Sequence, residues 1–171
     1  MYLRAAMNLR VHTFSALALG AALSLTSTSA QAQEIGTRRR FGLGVVVGYP
    51  ELGLDMNIYL TRSISLQIDP TIRTFKGDVY FGGRVDLLFW MPTIARLRFA
   101  DLRWYFGPGA RVFVGSRGFG PGFEFPVGIG FQFHRFPLEL MLEAVPQFDF
   151  YDHHDGIHAW VAGAFHARWY F

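Results

Sequence analysis

The sequence predicts an all-β fold: an eight-stranded antiparallel up-and-down transmembrane β-barrel preceded by a cleavable signal peptide. Three observations support this fold class. Apolar and polar residues alternate with period two through eight segments of the chain. The first 32 residues have the layout of an export signal. Aromatic residues make up 17% of the chain and charged residues only 17%. Many aromatic rings must therefore be kept away from water, and contact with lipid would do this.

The N-terminal stretch has the three parts of a secretory signal. It starts with the basic residues Arg4 and Arg10, continues with an apolar run over residues 14–25, and ends at a small-residue site closing on Ala32. The run is shorter than the roughly 20 residues that a spanning helix needs. The alternative interpretation is a buried N-terminal helix. Cleavage after Ala32 gives the expected organisation: signal peptide 1–32, short N-terminal segment 33–40 and barrel 41–171.

Charge and cysteine content exclude several classes of protein. Two of the 16 basic residues lie in the signal peptide and all 13 acidic residues lie after it, so the mature net charge is +1. This near-neutral balance and the lack of a recognition motif argue against nucleic acid as a partner. The chain has no cysteine, which removes disulfides, cysteine catalysis and thiolate metal sites. No apolar stretch after the signal reaches 18 residues, so no membrane-spanning helix is expected.

The period-two pattern is clearest between residues 52 and 60. Leu52, Leu54 and Met56 fall on one face of an extended chain, and Asp55 falls on the other. A helix would scatter these apolar residues around its circumference, whereas a strand places them all on one side. Eight segments share the alternation, and most are long enough for tilted membrane strands. They are residues 41–48, 52–60, 64–74, 79–89, 102–114, 123–133, 138–150 and 157–171.

Short links join these segments, which indicates an up-and-down antiparallel meander. The longest link, residues 91–101, is expected to hold a helical turn. Four prolines fall inside predicted strands, where the missing N–H is awkward. They are expected at bulges or strand ends near the rims: Pro70, Pro108, Pro126 and Pro146.

The polar face of the predicted strands carries charges and glycines, whereas the apolar face is continuous and bulky. Seven acids and five arginines share the polar face, a near-balance that a closed interior requires because unpaired buried charges are costly. The sequence therefore predicts an interior charge network and a lipid-facing apolar wall. The predicted network comprises Asp55, Asp69, Arg73, Arg84, Asp86, Arg103, Arg111, Glu124, Glu139, Glu143, Asp149 and Arg168. The alternative is the reverse orientation, a soluble lipocalin-like ligand-binding barrel, whose small lumen would have to hold many large rings.

The C-terminal residues end the last predicted strand. Trp169 and the terminal Phe171 resemble the closing aromatic signal that outer-membrane assembly machinery reads. Glycine- and aromatic-rich motifs recur at residues 41–48, 105–111, 125–130 and 137–146. With the closing aromatics, these motifs resemble a family of uncharacterised small outer-membrane barrels known best from spirochaetes, similar in shape to the OmpX/OmpA type. The resemblance implies the fold and a location in the bacterial outer membrane, and it brings no catalytic residues.

Few residues suggest metal binding or catalysis. His153 and His154, with His158 nearby, could bind a divalent metal, and the alternative is a polar loop facing water. A lipid-A-modifying enzyme would need a serine beside a base and its orienting partner. The few serines after the signal peptide lack a histidine in their own segments, so this activity is not expected.

Glu139 and Glu143 share one face of a predicted strand, four residues apart. Two carboxyl groups so placed could form a catalytic acid–base pair. The favoured interpretation is that they pair with inward arginines such as Arg111 or Arg168, which would rigidify the barrel and block conduction.

The sequence thus predicts a small outer-membrane barrel with a structural or surface-interaction role and a non-conducting interior. No enzymatic activity, cofactor or nucleic acid is expected, and a lipid-A-modifying enzyme or a narrow conductor is the alternative. Expected partners are the outer-membrane bilayer, the outer-membrane assembly machinery and an external protein on the short loops near Phe119 and Tyr151. A monomer with both termini in the periplasm is expected. The links that would then face outward lie around Pro50, Lys76, Ser116 and His154.

Overall fold

The computed structural model describes residues 35–75, 78–115, 118–150 and 157–171, and this part of the chain is all-β. The predicted signal peptide, His153 and His154 lie outside the described residues. Within the described part, no helix is long and apolar enough to cross a bilayer. The strands are β1 (Phe41–Tyr49), β2 (Glu51–Tyr59), β3 (Ile64–Phe75), β4 (Asp78–Arg96), β5 (Ala100–Phe106), β6 (Gly109–Gly115), β7 (Gly118–Glu124), β8 (Val127–Phe133), β9 (Leu138–Phe150) and β10 (Ile157–Tyr170).

These ten strands form a closed ring of eight wall strands. β5 and β6 are successive halves of one wall strand, and β7 and β8 are halves of the next, because β5 pairs with β8 and β6 with β7 in one continuous register. Every neighbouring pair is antiparallel, and β10 closes the ring by pairing with both β1 and β9. The predicted ring of eight antiparallel strands is confirmed. Closure gives every described strand a hydrogen-bonded neighbour on both sides.

Proline interrupts two wall strands without shifting their register. Pro108 separates β5 from β6, and Pro126 separates β7 from β8, so both lie at breaks midway along a wall strand and not near a rim as predicted. Pro108 O still accepts a hydrogen bond from Leu87 N at 3.0 Å, because proline lacks only the N–H. Pro70 and Pro146 lie inside β3 and β9 in unshifted register. The prediction of a bulge or strand end at these two positions is wrong, since both strands continue through the proline, although the pairing of β3 with β2 lapses opposite Asp69 and Pro70.

Strand β4 runs for 19 residues and replaces most of the longest predicted link. The chain beyond Trp90 continues as a strand to Arg96 and pairs back onto β5, so the hairpin link shrinks to residues 97–99. The helical turn expected within residues 91–101 is therefore wrong. Pairing with β5 satisfies the backbone groups of this extension, and register shifts on both sides of Thr93 accommodate its irregular stretch.

The wall is polar inside and apolar outside. Leu54, Phe125 and Trp169 are 55%, 43% and 37% exposed, whereas Asp55 and Arg111 are 0% and 3% exposed. The alternation of side chains across each strand places the charged residues of β2 and β6 toward the barrel axis. The reverse orientation, with an apolar lumen and charges outside, is not the one observed.

The barrel has two rims. The terminal rim carries the start of β1, the end of β10 and three links, residues 60–63, 97–99 and 134–137. Backbone hydrogen bonds join its neighbouring elements, among them Tyr59 N to Arg40 O at 2.8 Å. The loop rim, at the opposite end, carries the turn at Pro50 and the strand ends that flank residues 76–77, 116–117 and 151–156.

Residues 35–40 fold back at the terminal rim. Ile35 belongs to a buried cluster with Tyr59. Gly36 N donates to Arg39 O at 2.9 Å, and Gly36 has a φ of +87°, a conformation that glycine adopts without strain. If Gly36 carried a side chain, its Cβ would lie only 3.3 Å from the Tyr59 ring. The segment therefore packs against the aromatic side chains that fill this end of the barrel.

Candidate functional site

The barrel interior is a buried network of ionisable side chains. Of the twelve charged residues predicted to line it, eleven are buried and Arg103 is not. Two further buried residues, Glu51 and His166, contact this set. The interior network therefore consists of Glu51, Asp55, Asp69, Asp86, Glu124, Glu139, Glu143, Asp149, Arg73, Arg84, Arg111, Arg168 and His166.

Arg103 lies half-buried at the terminal rim instead of in the network. Its guanidinium donates to the backbone oxygens of Met91 (3.1 Å) and Arg62 (3.4 Å) and lies 5.4 Å from the centre of the Trp90 ring. The extension of β4, which the sequence analysis does not foresee, supplies the first of these carbonyls. The predicted near-balance of charge is corrected accordingly: the interior network holds eight carboxyl groups against four arginines and one histidine.

Sequence reasoning missed Glu51 and His166 as members of the network. Glu51 falls in the predicted link around Pro50, yet it is the first residue of β2, and its Oε1 accepts from Arg111 Nη2 at 2.6 Å. A signal was available, because Glu51 has the same strand parity as Asp55. Only tertiary pairing shows that the buried His166 contacts carboxylates from two other strands.

Arg84 on β4 is the centre of the network. Its Nε donates to Asp69 Oδ2 at 2.8 Å, and its Nη2 lies 2.7 Å from Glu143 Oε1. The same Nη2 lies 3.1 Å from His166 Nε2. Two further carboxylates complete its surroundings, those of Asp86 (3.5 Å) and Glu124 (3.6 Å). A single buried guanidinium thus faces four carboxyl groups, the arrangement in which a buried cation is stabilised by close partners.

Arg168 on β10 forms a second centre nearer the terminal rim. Its Nε donates to Asp55 Oδ2 at 2.5 Å, its Nη1 to Glu139 Oε2 at 3.4 Å, and its Nη2 to the Gln67 side-chain oxygen. Glu139 thus pairs with one of the arginines predicted for it, whereas Glu143 pairs with the guanidinium on β4. His166 Nδ1 lies 3.0 Å from the same Asp55 oxygen, so this histidine connects the two arginine centres.

A third group of contacts lies toward the loop rim. Arg111 contacts the carboxylates of Glu124 and Asp149, both at 3.3 Å. Arg73 reaches the same Asp149 at 3.5 Å, and its guanidinium lies 4.6 Å from the centre of the Trp160 ring. The indole therefore stabilises a cation whose carboxylate partner is shared.

Four buried aromatic residues close the interior on the side of the terminal rim. They are Tyr59, Trp90, Tyr105 and Tyr170. Their polar atoms point into the network: Tyr170 Oη donates to Glu139 Oε2 at 2.6 Å, and Tyr105 Oη donates to Glu143 Oε2 at 2.8 Å. The Trp90 and Tyr105 rings pack with centroids 4.7 Å apart. This aromatic layer therefore both fills space and satisfies carboxylates that the arginines leave partly unpaired.

Three contacts join wall strands that stand opposite each other in the ring of eight. Arg84 on β4 reaches His166 on β10, and Arg73 on β3 reaches Asp149 on β9. The third contact, from β8 to β2, is the hydrogen bond from Gln132 Nε2 to the Tyr59 hydroxyl at 2.8 Å. Each strand of such a pair lies four positions from the other, so these side chains cross the full diameter of the barrel. The interior is therefore spanned at three levels.

Inward-facing glycines make room for these large side chains. A Cβ on Gly109 would lie 1.8 Å from Asp86 Oδ1, and one on Gly128 would lie 2.4 Å from Tyr105 Oη. Neither distance is possible between real atoms, so a side chain at either position would displace a member of the network or the aromatic layer. At Gly128 the backbone oxygen of Leu142 would also lie 2.5 Å away, so glycine is required there by close approach, whereas at Gly109 the flexible Asp86 side chain would have to move.

Asp55, Asp69 and His166 are the described residues that could together hold a metal ion. One ligand atom from each lies within 4.8 Å of the others. Arg168 already contacts Asp55, and Arg84 contacts the other two. A metal cation at this point would meet two guanidinium groups, so the arrangement favours ion pairing over metal binding.

The remaining predicted site residues that the structure describes are not part of the interior network. Trp169 and Phe171 are exposed at the end of the chain, where Phe171 N donates to Phe41 O at 2.8 Å. His158 is exposed at the start of β10, near the loop rim, where it pairs in register with Asp149 and lies on the inward face of the strand. The other two candidate metal ligands, His153 and His154, lie outside the described residues.

The fold and the interior together define a class of protein: a closed, eight-stranded antiparallel barrel with a charged core and an apolar outer wall. Comparison of the chain with protein-family models, with curated proteins and with solved structures finds no match. The resemblance to small outer-membrane barrels therefore stays a prediction from the sequence.

Proposed function

We propose that this chain is the precursor of a small bacterial outer-membrane barrel with a structural or surface-interaction role and a non-conducting interior. The observation that carries the proposal is the inverted distribution of polarity, with ionisable side chains in the core and large apolar side chains on the outer wall. A closed barrel also satisfies its backbone groups internally, as a hydrocarbon environment demands. Export by a signal peptide, with cleavage after Ala32, belongs to the same proposal.

The extent of the apolar wall supports a lipid environment. The described residues include 33 exposed large apolar side chains, and every wall strand of the ring contributes some of them. Soluble monomers rarely expose contiguous apolar patches beyond a few hundred Å². A wall that is apolar around the ring would drive aggregation in water, whereas lipid tails cover it without cost.

Matched arginine substitutions test insertion into lipid. Leu54 lies in the middle of β2 and Leu60 lies just beyond its end, and both are about half exposed. In a membrane barrel, Leu54→Arg should cost about 2–4 kcal/mol of unfolding free energy and Leu60→Arg about 0–1 kcal/mol, because the penalty depends on depth in the bilayer. Urea unfolding from phospholipid vesicles, followed by tryptophan fluorescence, measures both. Equal and small effects at the two positions, with a parent that dissolves without detergent, would show a soluble barrel.

The spanned interior predicts an electrically silent barrel. Side chains from opposite walls meet across the diameter, including Arg84 with His166. Planar-bilayer recordings of the folded protein should show no unitary conductance above the leak of the bare bilayer. A large porin recorded in the same bilayer controls for insertion and detection. Reproducible current steps from this protein would favour the narrow-conductor alternative.

The proposal places the terminal rim in the periplasm and the loop rim outside the cell. Export from the cytoplasm delivers both chain ends to the periplasm, where the assembly machinery would read Trp169 and Phe171. The absence of cysteine permits single-cysteine reporters on a clean background. Phe119→Cys, exposed near the loop rim, should react with an impermeant maleimide on intact cells, and Ser63→Cys, exposed at the terminal rim, should not. The opposite labelling pattern would reverse the orientation.

A protein partner outside the cell would have to dock on the loop rim. The described part of that rim offers exposed apolar side chains such as Phe119 and Tyr49, which suit a small contact surface. The proposal therefore assigns any interaction role to this rim and expects a monomeric barrel within the membrane. Cross-linking from the Phe119→Cys reporter on intact cells tests it, since a homodimer product would contradict the monomer.

A further inference from the structure

Exposed arginines concentrate on the terminal rim, where the interior network does not use them. Among the described residues, Asp101 is the one acidic residue on this rim, and its carboxylate lies 3.2 Å from the His134 ring. Six arginines are exposed there, on the N-terminal segment, the links and the adjoining end of β4. They are Arg38, Arg40, Arg62, Arg96, Arg98 and Arg135. The rim is therefore strongly positive although the core contains more carboxyl groups than arginines.

Two of these arginines share a cleft with aromatic walls. The cleft has a volume of about 420 Å³ and lies between the tip of the β4–β5 hairpin and the β8–β9 link. The residues that line it are Arg98, Phe99, Phe133, Arg135 and Phe136. Phe99 and Phe136 are more than half exposed, and the rings of Phe99 and Phe133 pack with centroids 6.1 Å apart. The cleft thus combines two cationic groups with an open apolar surface.

We propose that this cleft binds an anionic glycerophospholipid, with the headgroup phosphate between Arg98 and Arg135 and an acyl chain along Phe99 and Phe136. Guanidinium groups bind phosphate oxygens through paired N–H donors, and two of them can hold one phosphate. The aromatic walls suit the glycerol-to-acyl boundary, where aromatic side chains of membrane proteins concentrate. A free phosphate ion would use the arginines and leave the aromatic surface unexplained.

The proposal rests on the outer-membrane function and names the inner leaflet as the source of the lipid. The terminal rim carries both chain ends and is assigned to the periplasm, so its arginines would meet phospholipid headgroups and not lipopolysaccharide. The other four arginines add attraction for an anionic surface, since each basic residue near such a surface contributes favourably. The site would anchor the terminal rim at the headgroup level of the bilayer.

Native mass spectrometry of the folded full-length barrel in detergent micelles tests the site. Short-chain phosphatidylglycerol and phosphatidylcholine are titrated separately, and bound copies per barrel are counted. The parent should bind phosphatidylglycerol at least tenfold more tightly than phosphatidylcholine. The double variant Arg98→Gln/Arg135→Gln should lose roughly thirtyfold in phosphatidylglycerol affinity, because it removes both direct charged contacts to the headgroup phosphate. Heat-modifiable gel mobility confirms that each variant is folded.

A matched control separates the cleft from the general charge of the rim. The double variant Arg38→Gln/Arg40→Gln removes the same charge from the same rim outside the cleft and should change the affinity less than threefold. Phe136→Ser should weaken phosphatidylglycerol binding while leaving any binding of inorganic phosphate unchanged. Equal losses in the two double variants, or equal binding of the two phospholipids by the parent, would overturn the proposal. Cleft-dependent binding of lipid A without phosphatidylglycerol binding would overturn the assigned source.

Failure of this inference is distinguishable from failure of the proposed function. A barrel that inserts into vesicles and shows the depth-dependent effect of Leu54→Arg, yet binds both phospholipids equally, would contradict the cleft alone. A protein that dissolves without detergent and tolerates Leu54→Arg would contradict the membrane function itself.

Discussion

Replacement of Arg84 by methionine is expected to destabilise the barrel more than loss of any other interior arginine. The substitution keeps a long flexible side chain but removes the guanidinium. The nearest groups that lose their partner are Glu143 at 2.7 Å and Asp69 at 2.8 Å, and two more carboxylates lie within 3.6 Å. The interior would then hold eight carboxyl groups against three arginines.

The expected cost follows from burial. The side chain of Arg84 is 3% exposed, and Glu143 and Asp69 are 0% exposed, so water cannot replace the lost contacts without opening the barrel. Removing one partner of a buried ion pair costs about 3–5 kcal/mol. With a urea dependence of about 2 kcal/mol per molar, this corresponds to a midpoint roughly 2 M lower. A loss of this size is a large share of the stability of a typical domain.

Equilibrium urea unfolding in vesicles, followed by tryptophan fluorescence, measures the loss. Arg38→Met is the matched control, because Arg38 is exposed and its replacement should change the unfolding free energy by less than about 0.5 kcal/mol. Adding Glu143→Gln to Arg84→Met should recover part of the loss, since it removes one of the uncompensated charges. An Arg84→Met barrel within about 1 kcal/mol of the parent would refute the view that this guanidinium neutralises the core.

Three further substitutions test the packing, the aromatic layer and the chain end. Gly128→Ala should lower the unfolding free energy by about 1–3 kcal/mol, because the new Cβ would overlap the Tyr105 hydroxyl and the Leu142 backbone oxygen. Gly163→Ala is the control and should be neutral, since the nearest atom would lie 3.9 Å from its Cβ. Urea titration of both variants measures the difference. Tyr170→Phe removes the hydrogen bond to Glu139 and should cost about 1.5–3 kcal/mol in the same assay, and no change would contradict a stabilising role. Phe171→Ser should reduce the folded outer-membrane fraction in cell fractionation without impairing refolding in detergent, and normal assembly in cells would contradict the proposed C-terminal signal.

Local alternation was enough to predict the wall strands and the face on which each charged residue lies. In a strand, the face of a side chain depends only on counting residues from its neighbour. Asp55 could therefore be assigned to the interior from Leu54 and Met56 alone. Glu51 has the same parity as Asp55, and it was not predicted to face the interior only because the adjacent Pro50 suggested a link. The partial exception is Arg103, whose parity is inward but whose height along the axis places it at the rim.

Apart from the pairing of Glu139 with Arg168, the pairings within the interior were not accessible from the sequence. Arg84 and Glu143 are 59 positions apart and come from β4 and β9, so their contact depends on register and on the diameter of the closed ring. The extension of β4 to Arg96 likewise depends on β5 folding back to satisfy its backbone groups.

The sequence by itself determined the strand content, the number of wall strands and the division of the chain into a polar and an apolar face, because these follow from period-two patterning within single segments. Only the tertiary structure decided how most of the cations and carboxylates pair, which glycines must stay small and where the exposed arginines gather. Those properties arise from hydrogen bonds between strands, which set the stagger of the wall and hence the height at which each inward side chain meets its opposite neighbour.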